Sequence, residues 1–325
     1  MAEVTFLEAL RQGLWEEMER DERVFMLGED IGAYGGAFKV TEGFQKKFGE
    51  ARVIDTPISE AAIVGAAAGA AHMGMRPVAE MQFIDFISCA YDMLTNYVAT
   101  ARYRAGLATP IVVRGPCGGY VRGGPFHSQN PEAAFLHTPG LKIVYPATAR
   151  DAKGLIKASI RDEDPVIFLE HKWLYRRIKE TLPEGEEVLT PIGQARLARE
   201  GKDLSVITYG ATVWKALEAA DQLAHDGVSL EVLDLRTLLP LDDDAIVATV
   251  KKTGKVLIVH EDTRTGGLAG EITARINERA FEWLDGPIMR VTAHDVPLPY
   301  APTLEDFVLP QTEDIAKAAR WLAKY

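Results

Sequence analysis

Cysteine is nearly missing from this sequence. Cys89 and Cys117 are the only two among 325 residues, too few for a disulfide framework, and they form no Cys-x-x-Cys pair for zinc. Positive charge is short as well: 36 Lys and Arg stand against 47 Asp and Glu, a formal charge of −11. That balance excludes the clustered cationic surface that nucleic-acid phosphates require. Long hydrophobic runs are lacking too. The longest small-apolar run, Ala61 to Ala71, is bounded by Glu60 and His72 and falls well short of the ~20 residues of a membrane span. No basic leader precedes an apolar stretch, so a cytoplasmic protein away from membranes is expected. The remaining composition, 47% hydrophobic and 26% charged, is that of an ordinary globular chain of about two domains.

Short apolar runs alternate with longer periodic segments. Strands are predicted at Val24–Leu27, Pro77–Met81, Pro110–Val113, Leu141–Val144 and Val166–Leu169, with helices over 59–74, 84–105 and 148–161. A basic and then acidic, turn-rich stretch from Leu174 to Pro191 reads as an exposed linker. The alternation then resumes with strands at Ser205–Ile207, Leu230–Leu233, Val256–Val259 and Met289–Val291, and helices near 212–226, 243–252 and 268–284. Two α/β domains, each a doubly wound, mostly parallel sheet, are expected over 1–185 and 186–325. At the start of the chain, Thr5-Phe6-Leu7-Glu8 forms a capping-box pattern that opens a helix.

Several familiar signatures are absent. The glycine-rich loops Gly28–Gly32, Gly115–Gly124 and Gly266-Gly267 match neither G-x-G-x-x-G nor the G-x-x-x-x-G-K-[ST] phosphate loop. There is no G-x-S-x-G elbow and no H-E-x-x-H helix. Cys117, within one such loop, reads as a small residue tolerated in a turn, with nucleophile as the alternative.

Four stretches carry chemistry. In Asp55-Thr56-Pro57-Ile58-Ser59-Glu60, Ser59 is placed to cap a new helix and Glu60 falls in its first turn. Alone, Glu60 reads as an acid complementing the helix dipole. The helix that follows is almost wholly apolar, however, and a carboxylate heading a buried helix is costly to ionise without a partner. In the stretch Arg76–Phe86, a strand ends near Met81, which sets Gln82 and Phe86 on the turn at its carboxyl edge; Phe86 reads as a core aromatic or as a stacking surface for a planar ring. In Gly123-Gly124-Pro125-Phe126-His127-Ser128-Gln129, His127 follows a flexible run, which suits either a solvated residue or a mobile acid–base group. In Ser159–Pro165, carboxylates and carbonyls crowd one turn, which describes a solvated helix end or a hard-cation site.

In this order the stretches closely resemble the beta subunit of the decarboxylating component of 2-oxo acid dehydrogenase complexes, a transketolase-like, thiamine diphosphate-dependent family. The resemblance rests on GEDIGAYGGAFKVTEG, RVIDTPISEAAIVG, RPVAEMQFIDF, GGPFHSQNPEAAFLHTPGLKIV, DAKGLIKASIRDEDPVIFLEHKWLYR and EVLDLRTLLPLD, extended by VHEDTRTGG and AGEI. It implies a transketolase-like pyrimidine-binding domain followed by a transketolase C-terminal-like domain. Glu60 matches the glutamate that bonds the aminopyrimidine ring nitrogen of the cofactor and sets its tautomer. Ile58, Gln82 and Phe86 match neighbouring pocket positions; some relatives have Tyr where Phe86 stands. His127 matches the histidine that assists acyl transfer to a lipoyl disulfide. Ile111, Ser159, Ile160, Asp162 and Asp164 match a structural potassium site.

The Gly-Asp-Gly motif with which such enzymes hold the diphosphate through Mg²⁺ does not occur here. The resemblance therefore implies an alpha subunit that brings Mg²⁺ and the diphosphate side, in an α2β2 heterotetramer, with the Gly65–Gly69 helix as a contact. A lipoyl-bearing acyltransferase would accept the acyl group, and the acidic Asp242–Asp244, Glu282 and Asp285 would face it. HSQNPEA and FLEHKWLYR look more like branched-chain enzymes than pyruvate ones; acetoin and pyruvate dehydrogenases stay open. A stand-alone transketolase relative and a non-catalytic scaffold are the competing expectations.

Overall fold

The computed structural model describes residues 2–183 and 185–325. It divides into two compact units: Met1–Cys117 with Ala134–Ile192, and Gly118–Ala133 with Gly193–Tyr325. The first contains strands β1 (Ala2–Thr5), β2 (Val24–Gly28), β3 (Val53–Asp55), β4 (Arg76–Glu80), β5 (Val112–Cys117), β6 (Lys142–Val144), β7 (Val166–His171) and β8 (Lys179–Leu182). Its helices are α1 (Phe6–Arg20), α2 (Phe44–Phe48), α3 (Glu60–His72), α4 (Ala101–Ala105) and α6 (Ala149–Arg161), while α5 (Glu132–Leu136) spans the return of the chain from the 118–133 excursion.

Strands β6-β7-β5-β4-β2-β3 lie side by side in that order, all parallel. Every residue of β2, β5 and β7 is buried, as expected of strands covered on both faces. The capping box at Thr5 is formed: Glu8 N–H donates to Thr5 Oγ1 at 3.2 Å, and Thr5 N–H donates to the Glu8 carboxylate at 2.8 Å. Gly13 lets α1 lie tight on α6, since a Cβ there would stand 2.5 Å from Ile156 Cγ2.

Two sequence expectations change here. The stretch from Leu174 to Pro191 is not an exposed linker. Leu174, Tyr175, Ile178 and Leu182 are buried, β8 pairs antiparallel with β1, and Thr190 Oγ1 donates to Asp151 at 3.2 Å. The charged residues between these anchors hid them from a compositional reading. The single helix expected over 84–105 breaks into a 3-10 turn (Ile84–Ala90), a π turn (Met93–Val98) and α4. Ser88, Thr95 and Thr100 hydroxyls each donate to a carbonyl three or four residues back, in competition with the regular ladder.

The second unit holds β9 (Arg196–Arg199), β10 (Leu204–Thr208), β11 (Leu230–Asp234), β12 (Thr237–Leu239), β13 (Val256–Thr263) and β14 (Met289–Ala293), with α7 (Thr212–His225), α8 (Asp243–Thr253), α9 (Leu268–Ala280), α10 (Pro302–Val308) and α11 (Thr312–Ala323). Its sheet runs β14-β13-β10-β11-β9, parallel except at the β9 edge. Leu204, Val206, Val232 and Leu257 pack with Ala216 and Leu223 of α7 and with Ile315 and Leu322 of α11. No helix among the described residues is long and apolar enough to cross a membrane.

One polar network is sealed inside the first unit. Arg114 on β5 forks onto both carboxylate oxygens of Glu170 on β7 and also reaches Glu80 at the end of β4. Tyr175 Oη donates to Glu170 Oε2 at 2.6 Å. Burial outweighs the attraction of Arg114 and pushes Glu80 up from 4.5 to about 7. Between those two values the folded chain holds a proton that the unfolded chain has released, so its stability falls as pH rises across that window. Relative to Glu80→Gln, the wild type should lose about 3 kcal/mol between pH 4.5 and 7 and then level off, as read by denaturant titration at several pH values. A pH-independent difference would show that Glu80 does not titrate there.

Candidate active site

Parallel strands deliver their carboxyl ends to one edge of a sheet, and ligands of open α/β sheets bind there. In the first unit the neighbouring strands β3, β2 and β4 end at Asp55, Gly28 and Glu80. The loops leaving them carry Thr56–Ser59, Glu29–Gly32 and Gln82–Phe86. Glu60, Gln82 and Phe86, far apart in sequence, therefore share one edge. Thr56 N–H donates to Gly28 O at 2.9 Å, and Gly32 N–H donates to Asp55 Oδ1 at 2.6 Å, which stitches the first two loops together. Glycine at position 32 lets the Asp55 and Gln45 side chains close onto the backbone, since a Cβ there would stand 2.4 Å from Asp55 Oδ2 and displace them.

Glu60 is the first residue of α3 and is 9% exposed. Its carboxylate makes no hydrogen bond and no ion pair among the described residues, so it stands ready to accept one. Glu29, at 7% exposed, is in the same condition; burial raises its pKa, followed by the negative charges of Glu60 and Asp30. Gln82 Nε2 donates to Asp30 Oδ2 at 3.1 Å, and Phe86 is half-buried in the 3-10 turn. Ile58 is exposed. Ser59 occupies the cap position of α3, but its side chain makes no capping bond, contrary to expectation. Nor is α3 buried all round. Ile63, Val64, Ala67, Ala68 and Ala71 face the core, while Ala61, Ala62, Ala66 and Gly69 are exposed.

His127 belongs to the second unit, in a loop that closes on itself through Gly118 N–H donating to Gln129 O at 3.0 Å. Glu261, at the end of β13, accepts from Gly119 N–H and from Asn130 Nδ2 and so ties down both ends of the loop. His127 is half-exposed and the neighbouring Phe126 is exposed. Beside the loop opens a cavity of about 490 Å³ lined by Pro125, Gln129, Asp262, Asp295 and Leu298 among others. Burial raises Asp262 to about 6. Glu132, buried nearby, is raised first by burial and then by the charge of Asp262, although Tyr209 Oη donates to its Oε1 at 2.8 Å.

The residues matched to potassium lie at the opposite, amino edge of the first sheet, just before β5 and β7. Arg76 Nη1 donates to the carbonyls of Ile160 and Asp162 at 2.9 and 3.0 Å. Asp162 N–H donates to Ser159 O, and Val166 N–H donates to Ile111 O. Lys142 pairs with the Asp162 carboxylate at 2.7 Å, and Arg102 with Asp164 at 2.5 Å. The oxygens are the hard donors that an alkali cation takes, and each carbonyl keeps a second lone pair, but three basic side chains already balance the charge. The run Asp242–Asp244 is likewise occupied. Asp242 caps α8 through Ala245 N–H, Asp243 pairs with Arg275 and Arg279, and Asp244 pairs with Arg279.

Sequence reasoning missed Glu29, Asp30, the Arg114 network and the buried acids Glu132, Glu261 and Asp262. The glycines around residues 28–32 flagged the loop, yet nothing in the sequence marked which of its acids would be desolvated.

The chain matches the transketolase pyrimidine-binding domain family over residues 2–177 and the transketolase C-terminal domain family over 193–315. It is 51% identical over the full length of both chains to the 2-oxoisovalerate dehydrogenase subunit beta of Bacillus subtilis strain 168. It is 44% identical, again over the full length of both, to the pyruvate dehydrogenase E1 component subunit beta of the same organism, and 44% identical over 98% of each chain to that of Staphylococcus aureus strain COL. In fold it is similar to a split-gene transketolase described as an inactive beta4 tetramer, with a TM-score of 0.81 at 22% identity over 99% of this chain and 98% of that one. A pyrimidine-binding unit that offers an unpartnered, nearly buried carboxylate, joined to a transketolase C-terminal unit, identifies the chain as a member of the beta-subunit family of the decarboxylating component of 2-oxo acid dehydrogenases.

Proposed function

We propose that this beta subunit serves the oxidative decarboxylation of a branched-chain 2-oxo acid, with transfer of the acyl group to a lipoyl-lysine. Residues 1–185, apart from the 118–133 excursion that belongs to the second unit, act on the pyrimidine side, and 186–325 form the C-terminal domain. The observation that carries the proposal is Glu60: a nearly buried carboxylate without an internal partner, at a sheet edge shared with Gln82 and the half-buried ring of Phe86. Such a site fits thiamine diphosphate, which when bound supplies the nucleophilic carbon and electron sink that the protein lacks. Glu60 would hold a proton at the aminopyrimidine ring nitrogen, Phe86 and Ile58 would offer apolar surface, and Gln82 would set Asp30. Because the sequence has no Gly-Asp-Gly, an alpha subunit brings Mg²⁺ and the diphosphate side, in an α2β2 assembly, and the open small-residue face of α3 is the contact proposed for a neighbouring subunit. His127 would act as the acid–base group when the acyl unit passes to the lipoyl disulfide. The lipoyl-bearing acyltransferase would meet Glu282 and Asp285, since Asp242–Asp244 are engaged. Two cysteines that form no disulfide agree with a cytoplasmic setting.

The 51% identity to a 2-oxoisovalerate enzyme against 44% to pyruvate enzymes favours the branched substrate; pyruvate is the second reading. Reconstituted with its alpha subunit, the wild type is expected to turn over 3-methyl-2-oxobutanoate faster than pyruvate in steady-state assays, and Glu60→Gln should lose about 100-fold or more on either while still assembling. A higher rate on pyruvate reverses the substrate, and near-normal turnover by Glu60→Gln removes its role.

His127→Ala should lower acyl transfer to a lipoyl domain more than decarboxylation read with an artificial electron acceptor. Equal losses in both assays would contradict its placement at the transfer step.

A potassium ion is proposed at the carbonyls of Ile111, Ser159, Ile160 and Asp162, with Asp164 alongside. Exchange of potassium for sodium at constant ionic strength should lower Tm, and an unchanged Tm would leave the turn to Arg76, Lys142 and Arg102 alone.

A further inference from the structure

The loop that carries His127 is built on a repeating strain. Gly118, Tyr120, Arg122 and Gly124 all have positive φ, at 82°, 61°, 64° and 67°. For the two glycines this conformation is cheap; for Tyr120 and Arg122 it is strained and persists only where the surroundings over-determine it. Those surroundings are supplied by the chain about 180 residues later. Tyr120 Oη donates to Pro310 O at 2.8 Å. The backbone N–H of Arg122 donates to Glu305 Oε1 at 3.1 Å, and its guanidinium reaches Glu305 Oε2, both oxygens of Asp306 (2.8 and 3.1 Å) and Pro302 O at 3.1 Å. Glu305 is fully buried, so it has few alternatives to Arg122 as a countercharge. Gly124 lies flush against Tyr300, where a Cβ would stand 2.3 Å from the ring. His127 follows three residues on, and its N–H donates to Gly124 O.

We propose that Arg122, clamped by Glu305 and Asp306, is the positioning residue that fixes the His127 loop for acyl transfer. The inference rests on the acid–base role given to His127 above and adds the device that places it. Arg122 touches neither substrate nor cofactor in this scheme. It acts by holding a strained backbone that would otherwise relax and carry the imidazole away, and misplacement by about 1 Å is enough to cost up to 100-fold in rate. The clamp is specific to a fork. Lysine would keep a charge beside Glu305 but could not bond both carboxylates and the Pro302 carbonyl together.

The test uses the assembled enzyme with Arg122→Gly, a substitution that removes the fork while accepting a φ of +64° without strain. Acyl transfer to a lipoyl domain is expected to fall roughly 10–100-fold, with decarboxylation to an artificial acceptor within about twofold of wild type. Arg122→Lys should recover only part of the loss. Hydrogen exchange of amides 118–130 should quicken in Arg122→Gly, and His127→Ala combined with Arg122→Gly should transfer no more slowly than His127→Ala alone. Unchanged exchange, equal loss of both activities, or additive losses in the double variant would overturn the clamp. A selective defect in His127→Ala with none in Arg122→Gly overturns the clamp but leaves the His127 role standing. No selective defect in His127→Ala overturns that role, and with it the inference. Should Arg122→Gly not assemble, Asp306→Asn, which weakens the fork at its exposed side, is read by the same criteria.

Discussion

The guanidinium of Arg114 sealed between Glu80 and Glu170 is the contact on which the rest of the first unit depends. It joins β4, β5 and β7 close to their carboxyl ends, the edge from which the Gln82–Phe86 turn and the glycine-rich segment after Cys117 depart. A buried ion pair adds little net stability against an apolar replacement, because both partners give up water, but the loss of either member is severe. What it supplies is register. Burial, with the charge of Glu170 adding to it, lets Glu80 retain its proton into the neutral range, while the two oxygens of Glu170 receive the bidentate fork and the Tyr175 hydroxyl.

The same accounting of charge separates acids with internal partners from acids without them among the described residues. Asp162, Asp164, Asp234 and Glu17 are each answered by Lys or Arg. Glu261 is answered by an amide and a backbone N–H. Glu29 and Glu60 have no such answer among the described residues, and burial, followed by the charges of Glu60 and Asp30, raises the pKa of Glu29. A fold that leaves two adjacent carboxylates desolvated and unpaired is less stable than it needs to be, and such a cost persists where a ligand relieves it.

Most of the architecture was legible in the sequence because it rests on periodicity. The nine predicted strands correspond to β2, β4, β5, β6, β7, β10, β11, β13 and β14, most of which are buried along nearly their whole length, as strands covered on both faces are. The strands that escaped, β1, β3, β8, β9 and β12, are only three or four residues long, and the exposed positions of β8 and β9 read as polar loop. The Thr5-Glu8 cap was readable because its chemistry is local; Ser59 was not, because whether its hydroxyl turns to the helix depends on neighbours outside its own segment. Glu60, Gln82 and Phe86 were found through motif order, whereas their convergence is a property of sheet topology. The Arg122–Glu305 clamp was invisible, since its members are 183 residues apart and each looks like an ordinary surface charge.

The exposed face of α3 bears on why the chain is a subunit at all. Ala61, Ala62, Ala66 and Gly69 present almost no side chain, and no Cβ added at Gly69 would meet an atom within 4 Å. A helix with a mean composition this apolar gains nothing from water on that face, and small residues permit the close backbone approach that large ones forbid. Glu60 begins the same helix. Among the described residues, the carboxylate without a partner and the small-residue face without a cover lie on one helix, so a neighbouring subunit seated on α3 would fix the orientation of Glu60 in the act of burying the helix. On the proposed reading, burial of this face and orientation of Glu60 would occur together, which would give a physical reason for dividing such a site between chains.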